Sequence, residues 1–537
     1  MIDVPDGIMQ AHRMAGSPFC LPWTSFAKFF HSRVHDPVLA ERPFLNYCDD
    51  DRPLQRAYTY AAFGQAVSRM AGLMQHRLGL RRGDRIATVL FNHDQTVIIY
   101  FAAWTLGLAV VPINVEESTD KKRYVLEHSE AAAVFCWHTS VDEINDLQNG
   151  LPALRVVIAM TDDGVVDIRV ALHLSFGDKD RVGESEGSLL DVALIVYTSG
   201  TTGQPKGVIL TAENFLMDAD AIANWHGFGT NERLMCVLPI HHVNGTVVTL
   251  ITPFYFKGSV VLNRKFKTRT FWRRLHEEGV TGVSVVPTLL EFLLEADDDL
   301  RGYRLDCFGG FICGAGPLLK DTAARFEDRF GFPIRHGYGL SETTCYSCFL
   351  PNDLTPDQHR QWLTGYEFPS IGLPFRHNEM AILDERGQPV AERMRGEICI
   401  RGRTVCAGYF KRPDANDAAF QWGWFRSGDE GLYVRDEGGR PFFFISGRLK
   451  EVIIRGGVNI SPLEIDEVLK RHPAVKFAMA VPFENRYYGE EIAAYIIPKE
   501  GSAPTEADLL AFCQGQLPFA KRPKVILFGA EMPYTAT

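Results

Sequence analysis

The sequence lacks an excess of positive charge and has few cysteines for its length. Lysine and arginine total 56 against 66 aspartates and glutamates, which gives a formal net charge of −10. This balance argues against a nucleic-acid-binding surface, although it allows a local basic cleft for an anionic cofactor. The 11 cysteines include one Cys-x-x-Cys, Cys345 to Cys348, without a second pair at zinc spacing, so a metal or redox site is not indicated. We therefore expect reduced thiols and a cytoplasmic protein.

The chain also lacks a secretory signal and an uninterrupted apolar segment. Its first residues contain no basic region followed by an apolar core. Residues 97–115 are almost wholly apolar and approach the length of a membrane span, but Gly107 and Pro112 interrupt them. A buried helix that turns into a buried strand explains this segment better, so we expect no membrane span.

The length of the chain predicts more than one domain, because 537 residues exceed an ordinary single core. In the first part helical and strand patterns alternate, as in α/β layers with a mostly parallel sheet. From about residue 396 short strands separated by glycines follow, and Ser461-Pro462-Leu463-Glu464 predicts a helix start with a capping box. We predict a large α/β N-terminal domain over residues 1–447 and a small α+β domain over residues 448–537.

The clearest chemical signal is residues 197–208, which read Tyr-Thr-Ser-Gly-Thr-Thr-Gly-Gln-Pro-Lys-Gly-Val. An apolar run precedes them, so a buried strand opens into a loop of glycines, hydroxyls and one lysine. Backbone N–H groups, hydroxyls and an ammonium in such a loop bind phosphate oxygens. The Walker pattern does not apply, because Gly207 rather than serine or threonine follows Lys206. The predicted phosphate-binding residues are Thr198, Ser199, Gly200, Thr201, Thr202, Gly203 and Lys206.

This loop resembles the signature of the adenylate-forming superfamily, which includes acyl- and aryl-CoA synthetases. Further motifs follow in the family order over roughly residues 55–537. Within residues 337–344, the resemblance implies that Tyr338 lies against adenine, that the Ser341 hydroxyl meets phosphate and that Glu342 holds Mg²⁺. One carboxylate together with nucleotide phosphates is a usual Mg²⁺ ligand set.

Other family motifs imply the rest of the nucleotide site. Residues 424–429 resemble the motif whose aspartate, Asp429 here, accepts hydrogen bonds from the ribose hydroxyls. Arg448 matches a nucleotide-contacting arginine, and Lys450 falls on the hinge about which a small, mobile C-terminal domain rotates. The remaining implied cofactor residues are Gly314, Ala315 and Gly316 beside the base, and Gly457 beside the thiol channel.

The resemblance also implies a pocket for the acid. His242 matches a family histidine that forms a wall or gate, and this role is favoured over zinc because no third ligand has a fitting spacing. Amino-acid-activating relatives tend to carry aspartate there, so His242 argues against an α-amino acid. Small and apolar neighbours favour an acyl or aryl acid over a charged one, with fatty and aromatic acids as open alternatives. The implied pocket residues are His242, Val243, Val286, Gly309, Gly337 and Gly339.

The chain departs from the family pattern at its C-terminus. Pro533-Tyr534-Thr535-Ala536-Thr537 matches the start of a motif that continues with Gly-Lys, and the sequence stops there. In the family, that lysine reaches the substrate carboxylate and the α-phosphate. Removal of one donor to developing charge lowers the rate by roughly 10²–10³, so we expect slow adenylation with phosphate binding retained.

Together these motifs imply that ATP converts a carboxylic acid into an acyl-adenylate, whose acyl group passes to the thiol of CoA. The implied catalytic residues are Lys206, Ser341, Glu342 and the hinge residue Lys450, with Mg²⁺ on Glu342. Two alternatives stay open: transfer to a carrier-protein thiol or an amine, and an ATP-binding regulatory protein without catalysis. A homodimer is compatible with the sequence, and no nucleic-acid partner is expected.

Overall fold

The computed structural model describes residues 5–13, 19–52, 54–162, 164–167, 172–173, 187–198, 204–296, 298–455 and 458–531. Within these residues the strands form three sheets, two in a large N-terminal part and one in a small C-terminal part. Helices pack on the sheets, and this mixed architecture confirms the predicted α/β class. No helix in the described ranges is both long and apolar enough to cross a membrane.

The strands are named in chain order. They are β1 (Pro43–Asp49), β2 (Leu54–Thr59), β3 (Arg85–Leu90), β4 (Ala109–Asn114), β5 (Ala133–Trp137), β6 (Val156–Thr161), β7 (Gly164–Asp167), β8 (Leu172–His173), β9 (Val192–Thr198), β10 (Lys206–Thr211), β11 (Arg233–Cys236), β12 (Ser259–Asn263), β13 (Gly282–Val285), β14 (Phe311–Cys313), β15 (Ile334–Tyr338), β16 (Cys348–Phe349), β17 (Ser370–Pro374), β18 (Asn378–Leu383), β19 (Gly396–Gly402), β20 (Phe420–Gln421), β21 (Trp424–Arg435), β22 (Pro441–Arg448), β23 (Ile453–Arg455), β24 (Val458–Ile460), β25 (Val475–Asn485), β26 (Gly489–Pro498) and β27 (Val525–Phe528).

The α-helices are named in the same way. They are α1 (Asp6–His12), α2 (Phe26–Val34), α3 (Tyr60–Gly72), α4 (Asp94–Thr105), α5 (Thr119–Ser129), α6 (Val141–Gln148), α7 (Ala212–His226), α8 (Thr252–Phe256), α9 (Thr268–Glu277), α10 (Pro287–Ala296), α11 (Lys320–Phe330), α12 (Pro356–Thr364), α13 (Pro413–Ala419), α14 (Pro462–Lys470) and α15 (Glu506–Gln516). Shorter π-helical and 3₁₀ segments include Leu73–Arg77, Asn244–Ile251 and Ser341–Thr343.

The first sheet has the described strand order β10-β9-β4-β3-β5-β6-β7-β8. The pairs of β4 with β9, β3 with β4, β3 with β5 and β5 with β6 are parallel, whereas β9 and β10 are antiparallel. Every residue of β4 and β5 is buried. These strands are apolar except for Asn114 at the end of β4, because both faces of a parallel sheet are covered.

The apolar segment 97–115 folds as a helix that turns into a strand. It comprises most of α4, a turn at Gly107 with φ of 66°, and β4. The left-handed backbone at Gly107 explains why glycine stands there, since other residues rarely adopt this conformation. The prediction of a buried helix followed by a buried strand is confirmed.

The second sheet runs in the described order β18-β19-β21-β22-β17-β16-β15-β14-β13-β11-β12-β1-β2, with β20 beside β21. Asn92, just after β3 of the first sheet, ties the two sheets together. Its Nδ2 donates to the carbonyls of Leu238 at 2.9 Å and Asn263 at 3.1 Å, and its Oδ1 accepts from the Ile240 amide at 2.8 Å. One buried amide thereby joins the carboxyl ends of strands from both sheets, which sets the cleft between them.

The small part has a sheet and a core of its own. β24, β23, β26 and β25 are neighbours in this order, β27 pairs with β26, and α14 and α15 cover the sheet. Its buried apolar residues form a separate cluster that includes Ile465 and Leu469 of α14. β22 of the second sheet ends at Arg448, so the predicted boundary at 447/448 lies at the end of that strand and stays a prediction.

The predicted capping box at the start of α14 is wrong. Pro462 does occupy the first turn, but the Ser461 side chain makes no capping hydrogen bond. Its hydroxyl donates instead to the carbonyl of Ser446 in β22, and Glu464 accepts from Lys521 Nζ at 2.7 Å. Contacts with other elements have therefore replaced the local cap, as tertiary context often does.

Polar contacts hold the small part against the large one. Lys470 Nζ of α14 lies 3.2 Å from Glu291 Oε1 of α10, and both side chains are buried. The Lys320 amide, at the start of α11, donates to Glu467 Oε1 at 2.8 Å. These contacts place the turn that contains Lys450 beside the cleft.

Candidate active site

The phosphate-binding loop begins and ends on two antiparallel strands. β9 ends at Thr198 and β10 begins at Lys206, and these two residues are register partners. A Cβ on the next residue, Gly207, would stand 2.9 Å from Ile195 Cγ2, so a side chain there would require the strand to shift. Other predicted loop residues lie outside the described residues: Ser199, Gly200, Thr201, Thr202 and Gly203.

Lys206 and Glu342 are brought together by the side chain of Tyr409. Lys206 Nζ lies 4.7 Å from the centroid of the Tyr409 ring, and the Tyr409 hydroxyl donates to Glu342 Oε1 at 3.0 Å. Burial raises the pKa of Glu342, while the charges of Lys206 and Arg448 act in the opposite direction. A cation and a carboxylate thus lie close together at the start of β10, where the predicted phosphate-binding segment ends.

Backbone pairing fixes Tyr409 in this position. Tyr409 forms a bridge with Val208 of β10, and the Phe410 amide donates to the Gly207 carbonyl at 2.7 Å. Gly408, with φ of 107°, makes the turn that presents the tyrosine. The segment around Tyr409 is therefore an added edge of the first sheet, placed directly beside the phosphate-binding loop.

A second group consists of Tyr338, Asp429 and Arg448. The Tyr338 hydroxyl donates to Asp429 Oδ2 at 2.5 Å, and Arg448 Nε lies 3.4 Å from Asp429 Oδ1. Asp429 of β21 and Arg448 of β22 are register partners, so the sheet itself sets this ion pair. Burial raises the pKa of Asp429 to about 6, and the nearby Glu342 charge adds to this effect. These are the residue types expected to hold a ribose and its base.

The segment between these groups is formed at the carboxyl ends of neighbouring parallel strands. Residues at these ends are Val286 after β13, Tyr338 at the end of β15, and Gly314, Ala315 and Gly316 after β14, which are called the glycine strip. Gly309 is at the opposite end: its amide donates to the Thr281 carbonyl at 2.8 Å, before β13 begins. The three residues of β14, about 10 Å of strand, separate it from the strip. The structure therefore contradicts the prediction that Gly309 lines the acid pocket.

Gly314, Gly337 and Gly339 have no room for side chains because other parts of the chain are close. A Cβ on Gly314 would stand 2.7 Å from the Gly337 carbonyl oxygen and from the Tyr346 hydroxyl. A Cβ on Gly339 would stand 2.6 Å from Tyr346 Cα. The resemblance placed Gly314 beside the base, and its packing on Tyr346 requires a glycine there independently.

His242 and Val243 form the turn that precedes the π-helical segment Asn244–Ile251. The rings of His241 and His242 are 4.3 Å apart between centroids. Burial, assisted by the Lys121 charge, lowers the pKa of His242 to about 4, and burial also lowers the pKa of His241 well below its usual value. Both imidazoles are neutral at physiological pH. In the described part of the chain no group of three or more His, Cys, Asp or Glu side chains could hold a metal ion.

Two family models match almost the whole chain. The model described as AMP-binding enzyme matches residues 39–410, and the model described as AMP-binding enzyme C-terminal domain matches residues 464–537. The chain belongs to the AMP-binding enzyme family. This finding confirms the family that the ordered motifs indicated.

Named relatives of this AMP-binding enzyme are CoA ligases. The sulfoacetate–CoA ligase of Cupriavidus necator is 36% identical over 458 residues, which cover 85% of this chain and 86% of the relative. The oxalate–CoA ligase of Arabidopsis thaliana is 30% identical, with 89% and 91% covered. Among solved structures, o-succinylbenzoate CoA synthetase from Bacillus subtilis, in complex with an acyl-adenylate intermediate, has a TM-score of 0.80 at 26% identity, with 95% of each chain covered.

Sequence reasoning missed several polar side chains of this AMP-binding enzyme. Tyr409 was not among the predicted site residues, yet it contacts both Lys206 and Glu342. Asn244, Ser284 and Tyr346 form a buried hydrogen-bonded chain next to the glycine strip. One signal was present in the sequence: Ser284 is a lone hydroxyl residue within an otherwise apolar strand.

The C-terminal part contributes less to the described site. Lys450 is an exposed residue in the turn after β22, where the Leu449 amide donates to the Gly428 carbonyl at 2.9 Å. Ser341 begins the 3₁₀ segment that carries Glu342. Gly457 and residues 533–537 lie outside the described residues.

Proposed function

We propose that this AMP-binding enzyme, an AMP-forming acid–thiol ligase, uses ATP to activate a carboxylic acid and then transfers the acyl group to CoA. The main support is that the group around Glu342 lies close to the group around Asp429. The charge of Glu342 raises the pKa of Asp429, and the charge of Arg448 lowers the pKa of both carboxyls, so the two groups interact electrostatically. A nucleotide with its ribose at Asp429 would extend its phosphates toward Lys206.

In the first half-reaction, a carboxylate oxygen of the acid attacks the α-phosphorus of ATP. The new O–P bond forms as the bond to the pyrophosphate oxygen breaks, which gives an acyl-adenylate and pyrophosphate. Negative charge grows on the departing pyrophosphate, and the Lys206 ammonium stabilises it there. The main task of the protein is to position the reactants, because the acid itself is the nucleophile.

Glu342 fits the metal that this chemistry usually needs. Its carboxylate is a hard oxygen donor beside the phosphate side of the cleft, and the described residues hold no three-ligand acidic cluster. One protein carboxylate, with phosphate oxygens and water as the other ligands, suits Mg²⁺ better than metals that need a full protein cage. Mg²⁺ held by Glu342 would supply charge neutralisation at the phosphates.

In the second half-reaction, the CoA sulfur attacks the carbonyl carbon of the adenylate. The C–S bond forms, the C–O bond to AMP breaks, and the thiol proton passes to solvent. We propose that residues 448–537 rotate about Lys450 between the two half-reactions, as the family resemblance implies. This rotation would separate Lys470 from Glu291.

Two measurements on the purified protein test the reaction. The first is exchange of radiolabelled pyrophosphate into ATP, run with a panel of carboxylic acids. The second is mass spectrometry of the products formed with CoA, with a phosphopantetheinylated carrier protein or with amines. We expect acid-dependent exchange and a CoA thioester. A product formed only with the carrier protein or an amine would replace CoA as the acceptor, and ATP binding without exchange for any acid would indicate a regulatory protein.

The role of Glu342 has a matched control. Glu342→Gln should lower Mg²⁺-dependent exchange by roughly 10²–10³, because it removes a charged ligand at the site of developing charge. Glu385→Gln changes an exposed glutamate of the large part and should exchange at the wild-type rate. Equal rates in both variants would remove Glu342 from the mechanism.

A further inference from the structure

Three buried polar side chains lie beside the glycine strip and are called the floor: Tyr346 at the centre, Asn244 and Ser284. Tyr346 is buried, and its hydroxyl lies where a Cβ on Gly314 would be only 2.7 Å away. The aromatic ring packs on Phe349 with centroids 4.3 Å apart, which leaves it little freedom to move aside. The space beyond the glycine strip is therefore filled by a fixed tyrosine, so a long acyl chain has no path in this direction.

The hydroxyl of Tyr346 belongs to a buried hydrogen-bonded chain. Asn244 Nδ2 donates to the hydroxyl at 3.3 Å, and Ser284 Oγ donates to Asn244 Oδ1 at 2.6 Å. Because the hydroxyl accepts from Asn244, this bond does not use its own proton, which can be donated to the neighbouring Ser284 or to a ligand. Burial raises the pKa of Tyr346 well above its usual value, so the hydroxyl stays a donor at every physiological pH.

Each member of this chain adjoins a segment that the family resemblance assigns to the acid pocket. Asn244 is two residues from His242, Ser284 is two residues from Val286, and Tyr346 follows the segment that starts at Gly337. Asn244 lies in the π-helical segment after β11, Ser284 in β13 and Tyr346 between β15 and β16, and they meet only in the folded chain. Their convergence puts the polar chain at the acid pocket rather than elsewhere in the core.

A buried carboxyl lies behind the same floor. Asp218 of α7 is fully buried, and burial raises its pKa well above the usual value, while a hydrogen bond from the Tyr346 backbone acts in the opposite direction. Tyr346 is therefore held through its backbone by α7 and through its hydroxyl by Asn244.

We propose that this enzyme activates short carboxylic acids that carry an oxygen acceptor at the end remote from the reacting carboxylate, and that the Tyr346 hydroxyl binds this oxygen. Asn244 and Ser284 are positioning residues, since they act by orienting the hydroxyl. The inference rests on the proposed ligase function and narrows its substrate class. It also changes the expectation from sequence that small, apolar surroundings favour a plain acyl or aryl acid.

Pairs of acids that differ by one group provide the test. 3-Hydroxypropanoate and butanoate have nearly the same shape, and only the first carries an oxygen at the end remote from the carboxylate. Sulfoacetate and 3,3-dimethylbutanoate form a second pair, in which the oxygens carry a charge. Because a hydrogen bond to a buried partner contributes about 1 kcal/mol or more, we expect kcat/KM in pyrophosphate exchange to favour the oxygenated member by about 10-fold or more. Comparison of the two pairs tells whether the favoured oxygen is neutral or anionic.

Variants of Tyr346 test whether its hydroxyl causes the preference for oxygenated acids. Tyr346→Phe keeps the ring and removes the hydroxyl. It should bring the ratio of kcat/KM for the oxygenated acid to kcat/KM for its apolar partner close to one, while kcat/KM for the apolar acid stays unchanged. Tyr346→Ala opens the floor and should raise the kcat/KM of hexanoate by about 10-fold or more. Tyr366→Phe, on a tyrosine stacked against Trp362 in another part of the large domain, should change neither ratio. ATP-induced thermal stabilisation of each variant shows that it is folded.

The outcomes separate this inference from the proposed function. Apolar acids used as well as their oxygenated partners, or a ratio unchanged in Tyr346→Phe, would overturn the inference and leave the ligase function standing. Exchange with none of the acids, despite ATP binding, would overturn both. Wild-type preference for hexanoate over all short acids would show that the floor does not limit chain length.

Discussion

Replacement of Asp429 by asparagine should stabilise the ligand-free protein while it weakens nucleotide binding. Asp429 is 3% exposed and has Tyr338 and Arg448 as partners, yet these contacts do not offset the loss of water around its charge. A buried carboxylate that serves to bind a ligand is expected to destabilise the folded protein when the ligand is absent. Asparagine has nearly the same shape and can still pair with the Tyr338 hydroxyl, but it never carries the charge.

The size of the effect follows from the pKa of Asp429, which burial raises from an ordinary 3.8 to about 6. A rise of about two pH units corresponds to about 3 kcal/mol at neutral pH. Between these pKa values the native state binds more protons than the unfolded state, so the stability contributed by this residue falls as pH rises. Asp429→Asn should therefore be more stable than the wild type by up to about 3 kcal/mol at pH 7.5, with little difference near pH 4.

Urea denaturation of the ligand-free protein at pH 4 and pH 7.5 measures this difference. Asp146→Asn, which changes an exposed aspartate on α6, is the matched control and should show no such pH-dependent gain. If Asp429→Asn is no more stable than the wild type at pH 7.5, or gains as much at pH 4, burial of the charge is not the cause.

Calorimetric titration with ATP tests the predicted weakening of nucleotide binding. Hydrogen bonds from ribose hydroxyls to a carboxylate contribute about 1.5–3 kcal/mol each, so Asp429→Asn should weaken ATP binding by 10-fold or more. Affinity of the wild type should fall as pH drops through about 6, as Asp429 takes up a proton. Wild-type affinity in the variant, with the same pH dependence, would place the ribose elsewhere.

Two further changes test the packing around the cleft and the contact between the two parts. Gly337→Ala should lower the urea midpoint by an amount equal to about 1–3 kcal/mol, because a Cβ there would stand 2.7 Å from the Cys348 carbonyl oxygen. Gly515→Ala, in open space on α15, should be neutral or stabilising, and a similar loss in both would contradict the argument. Lys470→Met removes one of two cations beside the buried Glu291 carboxylate, because Arg325 Nη2 also lies 3.3 Å from it. It should destabilise the protein in the same assay by less than the about 3–5 kcal/mol expected for a fully unpaired buried charge, whereas no loss would show that the Lys470–Glu291 pair is not maintained in solution.

Local sequence patterns predicted much of the fold. The apolar run before Thr198 predicted a buried strand, and Gly107 within residues 97–115 predicted the turn from α4 to β4. The glycines, hydroxyls and lysine of residues 197–208 predicted phosphate binding, and the order of later motifs predicted the family that the matching models confirm. These features depend on neighbours in the chain, so a single sequence carries them.

Other conclusions depended on residues that are distant in sequence. Ser461 has the local pattern of a helix cap, but its hydroxyl bonds to Ser446 in another strand. Gly309 was expected to line the acid pocket, although β14 separates it from Gly314 and places it at the opposite edge of the sheet. Both corrections have the same cause, which is that the element and the sheet that contain a residue set its neighbours in the fold.

By itself, the sequence determined which chemical groups this protein has and in what order they occur, and that was enough to predict an adenylate-forming ligase. Only the tertiary structure decided which groups meet. Tyr409 reaches Glu342 because its segment pairs with β10, and Tyr346 reaches Asn244 because the connections that follow β15 and β11 meet in the fold. Such contacts join residues that are tens to hundreds of positions apart, and their geometry comes from the register of the sheets and the packing between them, which local sequence patterns do not encode.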